Sequence, residues 1–69
     1  MYIILEMQTA QDGTTAIPAP VQKATLYEAE AAYHQILAAA ALSKVYKHSA
    51  TILTDEGNEY ESHCYTHAE

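Results

Sequence analysis

The chain has 69 residues, of which 49% are hydrophobic, but that share includes 13 alanines and six tyrosines. Three lysines, no arginine and nine acidic residues give a formal net charge of −6, which argues against binding to nucleic acids or anionic membranes. One cysteine excludes an internal disulfide and a cysteine-rich zinc module. With no long apolar run and no basic leader, we expect a cytoplasmic protein whose residues 1–69 form one small domain.

The first half of the chain predicts a β-hairpin. Residues 2–9 begin with an apolar run and then alternate, and residues 14–23 return as a second strand. Gly13 fits the left-handed position that ends a three-residue loop. The prolines Pro18 and Pro20 indicate that the second strand is an edge strand, irregular around residues 18–20. On one shared face this register pairs Met7 with Ile17, Leu5 with Ala19 and Ile3 with Val21.

A helix is predicted over residues 26–43. Thr25 and Glu28 match a capping box, in which the threonine hydroxyl caps the helix and the glutamate reaches back to the cap N–H. The segment is rich in strong helix formers and contains no glycine or proline. Its apolar stripe, expected to cover the sheet, consists of Leu26, Ala29, Tyr33, Ile36, Leu37 and Ala40.

The last part of the chain predicts a second hairpin, with strands over residues 48–54 and 58–66 and a loop that ends at Gly57. Residues 66–69 are expected to fray, because nothing in the sequence anchors them. The predicted register places Thr54 opposite Asn58, Ile52 opposite Tyr60, Ala50 opposite Ser62 and His48 opposite Cys64.

Together these elements predict an α+β fold of the form ββαββ. One helix would pack on one face of a four-stranded antiparallel sheet. We favour the strand order 2-1-3-4, since it puts the proline-bearing strand at an edge and makes every neighbouring pair antiparallel. The order 2-1-4-3 remains open.

The histidines and the cysteine near the C-terminus suggest a metal or thiol site, but their spacing argues against one. On a strand, His63 and His67 would lie about 13 Å apart, and Cys64 would point to the opposite face. Cys64 and His48 would share the face under the helix, where a cysteine acts as a small hydrophobe. Glu59 and Glu61 are expected on the outer sheet face as a solvated surface. We therefore expect neither an enzyme, a metal nor a cofactor.

Two surfaces are candidate interfaces. On the helix, small and apolar residues recur at a spacing of four, seven and four, which is typical of a narrow helix-contact seam; the alternative is an alanine-rich exposed face chosen for helix propensity. The outer face of the sheet cannot be covered by the same helix, so it meets either water or a partner. The candidate residues are Tyr27, Ala31, Ala38 and Leu42 on the helix, and Tyr2, Ile4, Leu53 and Tyr65 on the sheet.

Three segments also carry a resemblance to a group of proteins. Residues 2–9 (YIILEMQT), 13–16 (GTTA) and 33–41 (YHQILAAAA) resemble small uncharacterised prophage-associated proteins of gut Firmicutes. The resemblance implies an accessory protein of a phage or mobile element, and it carries over no activity and no site residue.

The sequence favours a non-enzymatic protein that acts through protein–protein contact, as a homodimer. Its large aliphatic residues are too few for a sizeable core, and two semi-apolar faces are predicted to be uncovered. The alternative is an acidic decoy or inhibitor that binds a basic site of a nucleic-acid enzyme, for which the net charge of −6 is the motive.

Overall fold

The computed structural model describes residues 1–67, in which one helix packs on an antiparallel sheet. The strand order is β2-β1-β4-β5, and β3 also pairs with β1. The α+β fold and the preferred strand order are thus confirmed, with the predicted second strand divided into β2 and β3, so that the sheet has five strands. The elements are β1 (Tyr2–Thr9), β2 (Thr15–Ala16), β3 (Val21–Lys23), α1 (Leu26–Leu42), β4 (Lys47–Thr54) and β5 (Glu59–Thr66).

Both hairpin loops have the predicted geometry. Gly13 and Gly57 adopt φ values of 92° and 86°, in the left-handed region that glycine enters without a Cβ penalty. The Ala10 N–H donates to the Thr14 carbonyl at 2.8 Å. In the second loop the Thr54 N–H donates to the Asn58 carbonyl, also at 2.8 Å, so each loop has three residues.

Beyond the first loop, the register changes by one residue at the prolines. Next to the loop, Gln8 pairs with Ala16 as predicted, whereas Val21 pairs with Ile4. The predicted pairing of Ile3 with Val21 is therefore wrong. Residues 17–20 belong to no strand, because proline lacks the N–H that a ladder needs, and this irregular segment absorbs the extra residue.

A β-bulge shifts the second hairpin in the same way. The pairing changes between Leu53, opposite Glu59, and Ile52, opposite Glu61, so that Tyr60 is the extra residue on β5. From this point every predicted pairing is displaced by one residue. Ile52 faces Glu61 instead of Tyr60, and the corrected partners of Ala50 and His48 are His63 and Tyr65 in place of Ser62 and Cys64.

The helix begins at its predicted cap. The Glu28 N–H donates to the Thr25 hydroxyl at 3.3 Å, and that hydroxyl donates to the Glu28 carboxylate at 3.1 Å. Glu28 therefore contacts the hydroxyl of the capping residue, where a capping box would use its backbone N–H. The helix ends at Leu42, one residue earlier than predicted, and its predicted inner stripe contacts the sheet through Ala29, Tyr33 and Ala40, all buried.

The core reveals which face of β1 lies under the helix. Ile4 is 1% exposed and packs in one cluster with Ile52 of β4 and Tyr33 of the helix. The prediction that Tyr2 and Ile4 lie on the outer face is therefore wrong. Both sides of β1 are apolar at its start, so alternation alone does not choose a face. The pairing of Ile4 with Ile52 makes the choice, because directly paired residues share a face.

Candidate functional site

The helix surface that points away from the sheet is apolar and exposed. Tyr27 and Leu42 are each 88% exposed, and Ala31 and Ala38 between them are also exposed. We call these four residues the helix seam. Contiguous exposed apolar surface marks interaction sites, and the two exposed alanines join Tyr27 to Leu42 along one face of the helix, which makes the seam a candidate contact surface.

The outer sheet face carries a second apolar strip, with different residues from those predicted. Ile3 and Leu5 of β1 lie on this face with Met7, which is 41% exposed. Leu53 pairs with Ile3 and lies there as predicted, whereas Tyr65, opposite the buried His48, faces the helix. Within residues 1–67, no helix or strand packs over this face. The strip is therefore Ile3, Leu5, Met7 and Leu53.

The predicted pair of Cys64 and His48 does not form. Cys64 is an exposed free thiol opposite Ser49 on the outer face. His48 is 5% exposed and lies on the helix side. The bulge at Tyr60 separates the two side chains, because a shift of one residue moves a side chain to the other face. The structure therefore does not bring His48 to the thiol.

His48 instead forms a buried polar pair with β1. Its Nε2 lies 2.5 Å from Oε2 of Glu6, and the side-chain amide of Gln8 donates to the same oxygen at 3.0 Å. His48 Nδ1 is buried and has no hydrogen-bond partner among residues 1–67. Nε2 is the nitrogen that donates in this pair, because a carboxylate oxygen accepts.

His67 links the end of β5 to the end of the helix. Its Nε2 donates to the Ala40 carbonyl at 2.8 Å, and its backbone N–H donates to the Tyr46 carbonyl at 2.7 Å. The Ala40 carbonyl also accepts from the Ser43 N–H at 3.2 Å, so the histidine ring adds a second hydrogen bond at the end of the helix. The prediction of fraying is thus wrong for Thr66, which belongs to β5, and for His67; its remaining part lies outside the described residues.

A groove runs between the helix and β5. Its volume is about 460 Å³. The groove exists because the helix lies over β1 and β4, so that the helix-side residues of β5 are only partly covered. Along β5, the rings of His63 and Tyr65 meet edge to face with centroids 4.7 Å apart. We call this feature the β5 groove; its walls include Tyr33, His34, Ala38, Glu61, His63 and Tyr65.

Two carboxyl groups meet at one end of the β5 groove. A hydrogen bond with Glu30 raises the pKa of Glu61, with partial desolvation and the Glu30 charge acting in the same direction. His34 lies 3.2 Å from Glu30, one helical turn away, and lowers the pKa of Glu61. Burial raises the pKa of the nearby Tyr33 hydroxyl, and the charge of Glu61 adds to this effect. This end of the groove is therefore acidic, with His34 paired to one of its two carboxyl groups.

The placement of Glu61 in the groove corrects the prediction that it lies on the outer sheet face. Glu6 and Glu30 were not singled out from the sequence, and His67 was considered only as a metal ligand. Alternate residues of a strand share one face of the sheet. Once Ile4 is known to pair with Ile52, Glu6 must lie on that face opposite Ala50. His48 is on the same face, two residues from Ala50, so the Glu6–His48 contact could have been expected. No sequence signal locates the bulge that turns Glu61 inward.

No family model, curated protein or solved structure matches the chain. Among residues 1–67, no group of three or more histidine, cysteine, aspartate or glutamate side chains is arranged to hold a metal ion. The helix in that same part of the chain lacks the length and the hydropathy of a membrane-spanning segment.

Proposed function

We propose that the protein works without catalysis, through protein–protein contact, as a homodimer that pairs its helix seams. The exposure of Tyr27 and Leu42, 88% each, carries this proposal. Within residues 1–67, the largest fully buried side chains are only Tyr33, Ile4 and Ile52. A chain with so small a core gains stability when a second copy covers its exposed apolar side chains.

The order of residues along the seam suits a symmetric, antiparallel helix pair. The spacing of four, seven and four reads the same in both directions. A two-fold axis between His34 and Gln35 would therefore place Tyr27 against Leu42 of the second copy, and Ala31 against its Ala38. The alanines allow the two helices to approach closely, while the larger residues fill the space at each end.

Charges on the helix also favour the antiparallel arrangement. Glu28 lies in the first turn, and Lys44 follows the end of the helix. In an antiparallel pair, the acidic start of one helix lies beside the basic end of the other, and the helix dipoles oppose each other. A parallel pair would bring Glu28 and Glu30 close to the same residues of the second copy.

Sedimentation equilibrium at micromolar concentration tests the proposal. The wild type should sediment as a dimer and Leu42→Glu as a monomer of about 7.6 kDa, because a charge cannot be buried without a partner. Ala39→Glu is the matched control: it adds the same charge to an exposed residue of the same helix, away from the seam. A monomeric wild type would refute the dimer.

The outer sheet face provides a competing interface within the same proposal. Leu5→Glu introduces a charge in the strip of Ile3, Leu5, Met7 and Leu53 without entering the core under the helix. We expect Leu5→Glu to remain dimeric. Dissociation by Leu5→Glu, but not by Leu42→Glu, would assign the dimer to the sheet and refute the seam.

We also propose a cytoplasmic protein that accompanies a phage or mobile element. Its exposed free thiol, Cys64, suits a reducing compartment, and the resemblance to prophage-associated proteins supports the genetic setting. The proposal assigns it no metal, no cofactor and no nucleic-acid partner.

A further inference from the structure

The two edges of the sheet are protected to different degrees. At one edge, β2 and β3 are short and are separated by the segment that contains Pro18 and Pro20. At the other edge, β5 is eight residues long and contains neither proline nor lysine. Proteins commonly block an exposed edge with short strands, prolines, charged side chains or β-bulges. On β5 the bulge and both glutamates precede Ser62, so residues 62–66 carry none of these protections. Within residues 1–67, no strand pairs with the outer side of β5.

The unpaired backbone groups of this edge can be identified from the ladder. The His67 N–H bonds to the Tyr46 carbonyl, toward β4. In an antiparallel ladder, alternate residues direct their N–H and carbonyl groups to the same side. Tyr65 and His63 therefore also point toward β4, and Ser62, Cys64 and Thr66 direct their backbone groups outward. Three donors and three acceptors are thus available to another strand.

The β5 groove lies directly beside this edge. A strand added to β5 would continue the sheet, and its alternate side chains would lie next to Glu61, His63 and Tyr65 on the helix side. The aromatic rings of His63 and Tyr65 and the flank of the helix would contact the stem of a long side chain. Glu61 lines the groove and hydrogen-bonds to Glu30, whose carboxylate also lies 3.2 Å from His34. The two carboxyl groups would meet a positively charged end.

We propose that the β5 edge and the β5 groove together bind an extended, basic segment of a partner protein. The segment adds a strand to β5 through Ser62, Cys64 and Thr66, and it places a lysine or arginine against Glu30 and Glu61. A second copy of this chain is a poorer occupant, because β5 itself contains no lysine or arginine. Ala38 belongs to both the seam and the groove wall, so the peptide is tested on the monomeric Leu42→Glu variant as well as on the wild type.

A short blocked peptide of alternating lysine and valine serves as the probe, with a peptide of alternating glutamate and valine as its control. Hydrogen exchange followed by NMR should show that the lysine peptide protects the amides of Ser62, Cys64 and Thr66. The glutamate peptide should not. Absence of protection by the lysine peptide at millimolar concentration would overturn the proposal. Protection that depends on protein concentration, without any peptide, would assign the edge to a second copy and overturn it as well.

Substitution of Cys64 separates backbone pairing from other contacts. Cys64→Pro removes one outward N–H but leaves the bonds to β4, because proline is tolerated at an edge where its nitrogen faces solvent. It should weaken peptide binding by about tenfold. Cys64→Ala is the matched control, since it removes the thiol and keeps the N–H, and it should bind like the wild type. Equal binding by a folded Cys64→Pro and by Cys64→Ala would overturn strand addition.

The charge contribution has its own test, which also applies if Cys64→Pro does not fold. The double variant Glu30→Gln/Glu61→Gln should weaken binding of the lysine peptide by about tenfold and reduce its salt dependence. The control Glu56→Gln/Asp55→Asn changes the net charge equally in the exposed second loop and should have a much smaller effect. If both double variants weaken binding equally, the groove carboxylates are not the recognised groups.

Discussion

At the scale of single residues, Gly57 isolates the energetic cost of a backbone angle. Nothing lies within 4 Å of a Cβ built at this position, where φ is +86°, so a substitution adds torsional strain without a clash. We expect Gly57→Ala to lower the free energy of unfolding by about 1 kcal/mol, and Gly57→Asn to lower it less, because asparagine tolerates the left-handed region. Thermal unfolding measures both. A neutral Gly57→Ala would contradict the positive φ.

Glu61 gives the stability a pH dependence of defined sign. Its pKa in the folded protein lies above the ordinary value of 4.5, chiefly because of the hydrogen bond with Glu30. The resulting stabilisation is fully present below that ordinary value and is lost as the pH rises through the raised pKa. Glu61→Gln should therefore flatten the stability profile above pH 4.5. Urea unfolding across this pH range measures the effect, with Glu56→Gln as the control. Equal pH dependence of the free energy of unfolding in the two variants would contradict the prediction.

The side chain of His67 anchors two elements with one hydrogen bond. Its bond to the Ala40 carbonyl spans 2.8 Å between the end of β5 and the last turn of the helix. We expect His67→Ala to cost about 1 kcal/mol of stability and to speed hydrogen exchange of the backbone amide at position 67. Thr66→Ala, a change at the neighbouring exposed residue, is the control. Equal effects of the two changes would show that the histidine ring contributes nothing.

Turn glycines and helix caps were predictable from sequence because their signals are local. Gly13, Gly57 and Thr25 each occupy a position that only a few residue types favour. The partners of His48 and Glu61 were not predictable in this way. Each depends on which residue of another strand lies opposite, and a single inserted residue such as Tyr60 reverses that choice without a characteristic sequence.

At the scale of the secondary structure elements, neighbouring isoleucines of β1 test the assignment of its faces. Ile4 is buried under the helix, whereas Ile3 is only partly buried on the outer face. Ile4→Val should lower the free energy of unfolding by about 1 kcal/mol because it leaves a cavity. Ile3→Val should cost clearly less in the monomer. Denaturant unfolding measures both variants. A larger loss in the free energy of unfolding for Ile3→Val than for Ile4→Val would contradict the assignment of the faces.

The elements themselves were largely predictable, whereas their faces were only partly so. The helix has a single apolar stripe of sufficient width, so its inner residues followed from periodicity. For the second half of the chain, the predicted face of β4 was correct. His48, Ala50 and Ile52 were expected under the helix, and they are buried there. The inner face of β1 was ambiguous, because Tyr2 and Ile4 on one side are as apolar as Ile3 and Leu5 on the other. The pairing with β4, which is a long-range property, determines which side lies under the helix.

At the scale of the whole molecule, the three exposed surfaces have different roles in the two proposals. The helix seam is assigned to a second copy, the β5 edge to an extended basic segment, and the outer sheet strip to neither. The seam and the groove share Ala38, but Leu42 lies outside the groove wall, so Leu42→Glu should abolish dimerisation and still bind the lysine peptide. Cys64→Pro should do the reverse. Sedimentation and peptide titration of the same two variants test whether the surfaces are independent.

The pairing of β1 with β4 also has a consequence for how the chain acquires its structure during synthesis. Tyr2 pairs with Thr54, and the core forms only when Ile4 meets Ile52. During synthesis, β1, β2, β3 and the helix therefore emerge from the ribosome before β4, the strand that completes the core. Until residues 47–54 emerge, β1 can pair only with β2 and β3, and Ile4 lacks its contact with Ile52. Closure of this long loop, and not formation of either hairpin, should limit the folding rate.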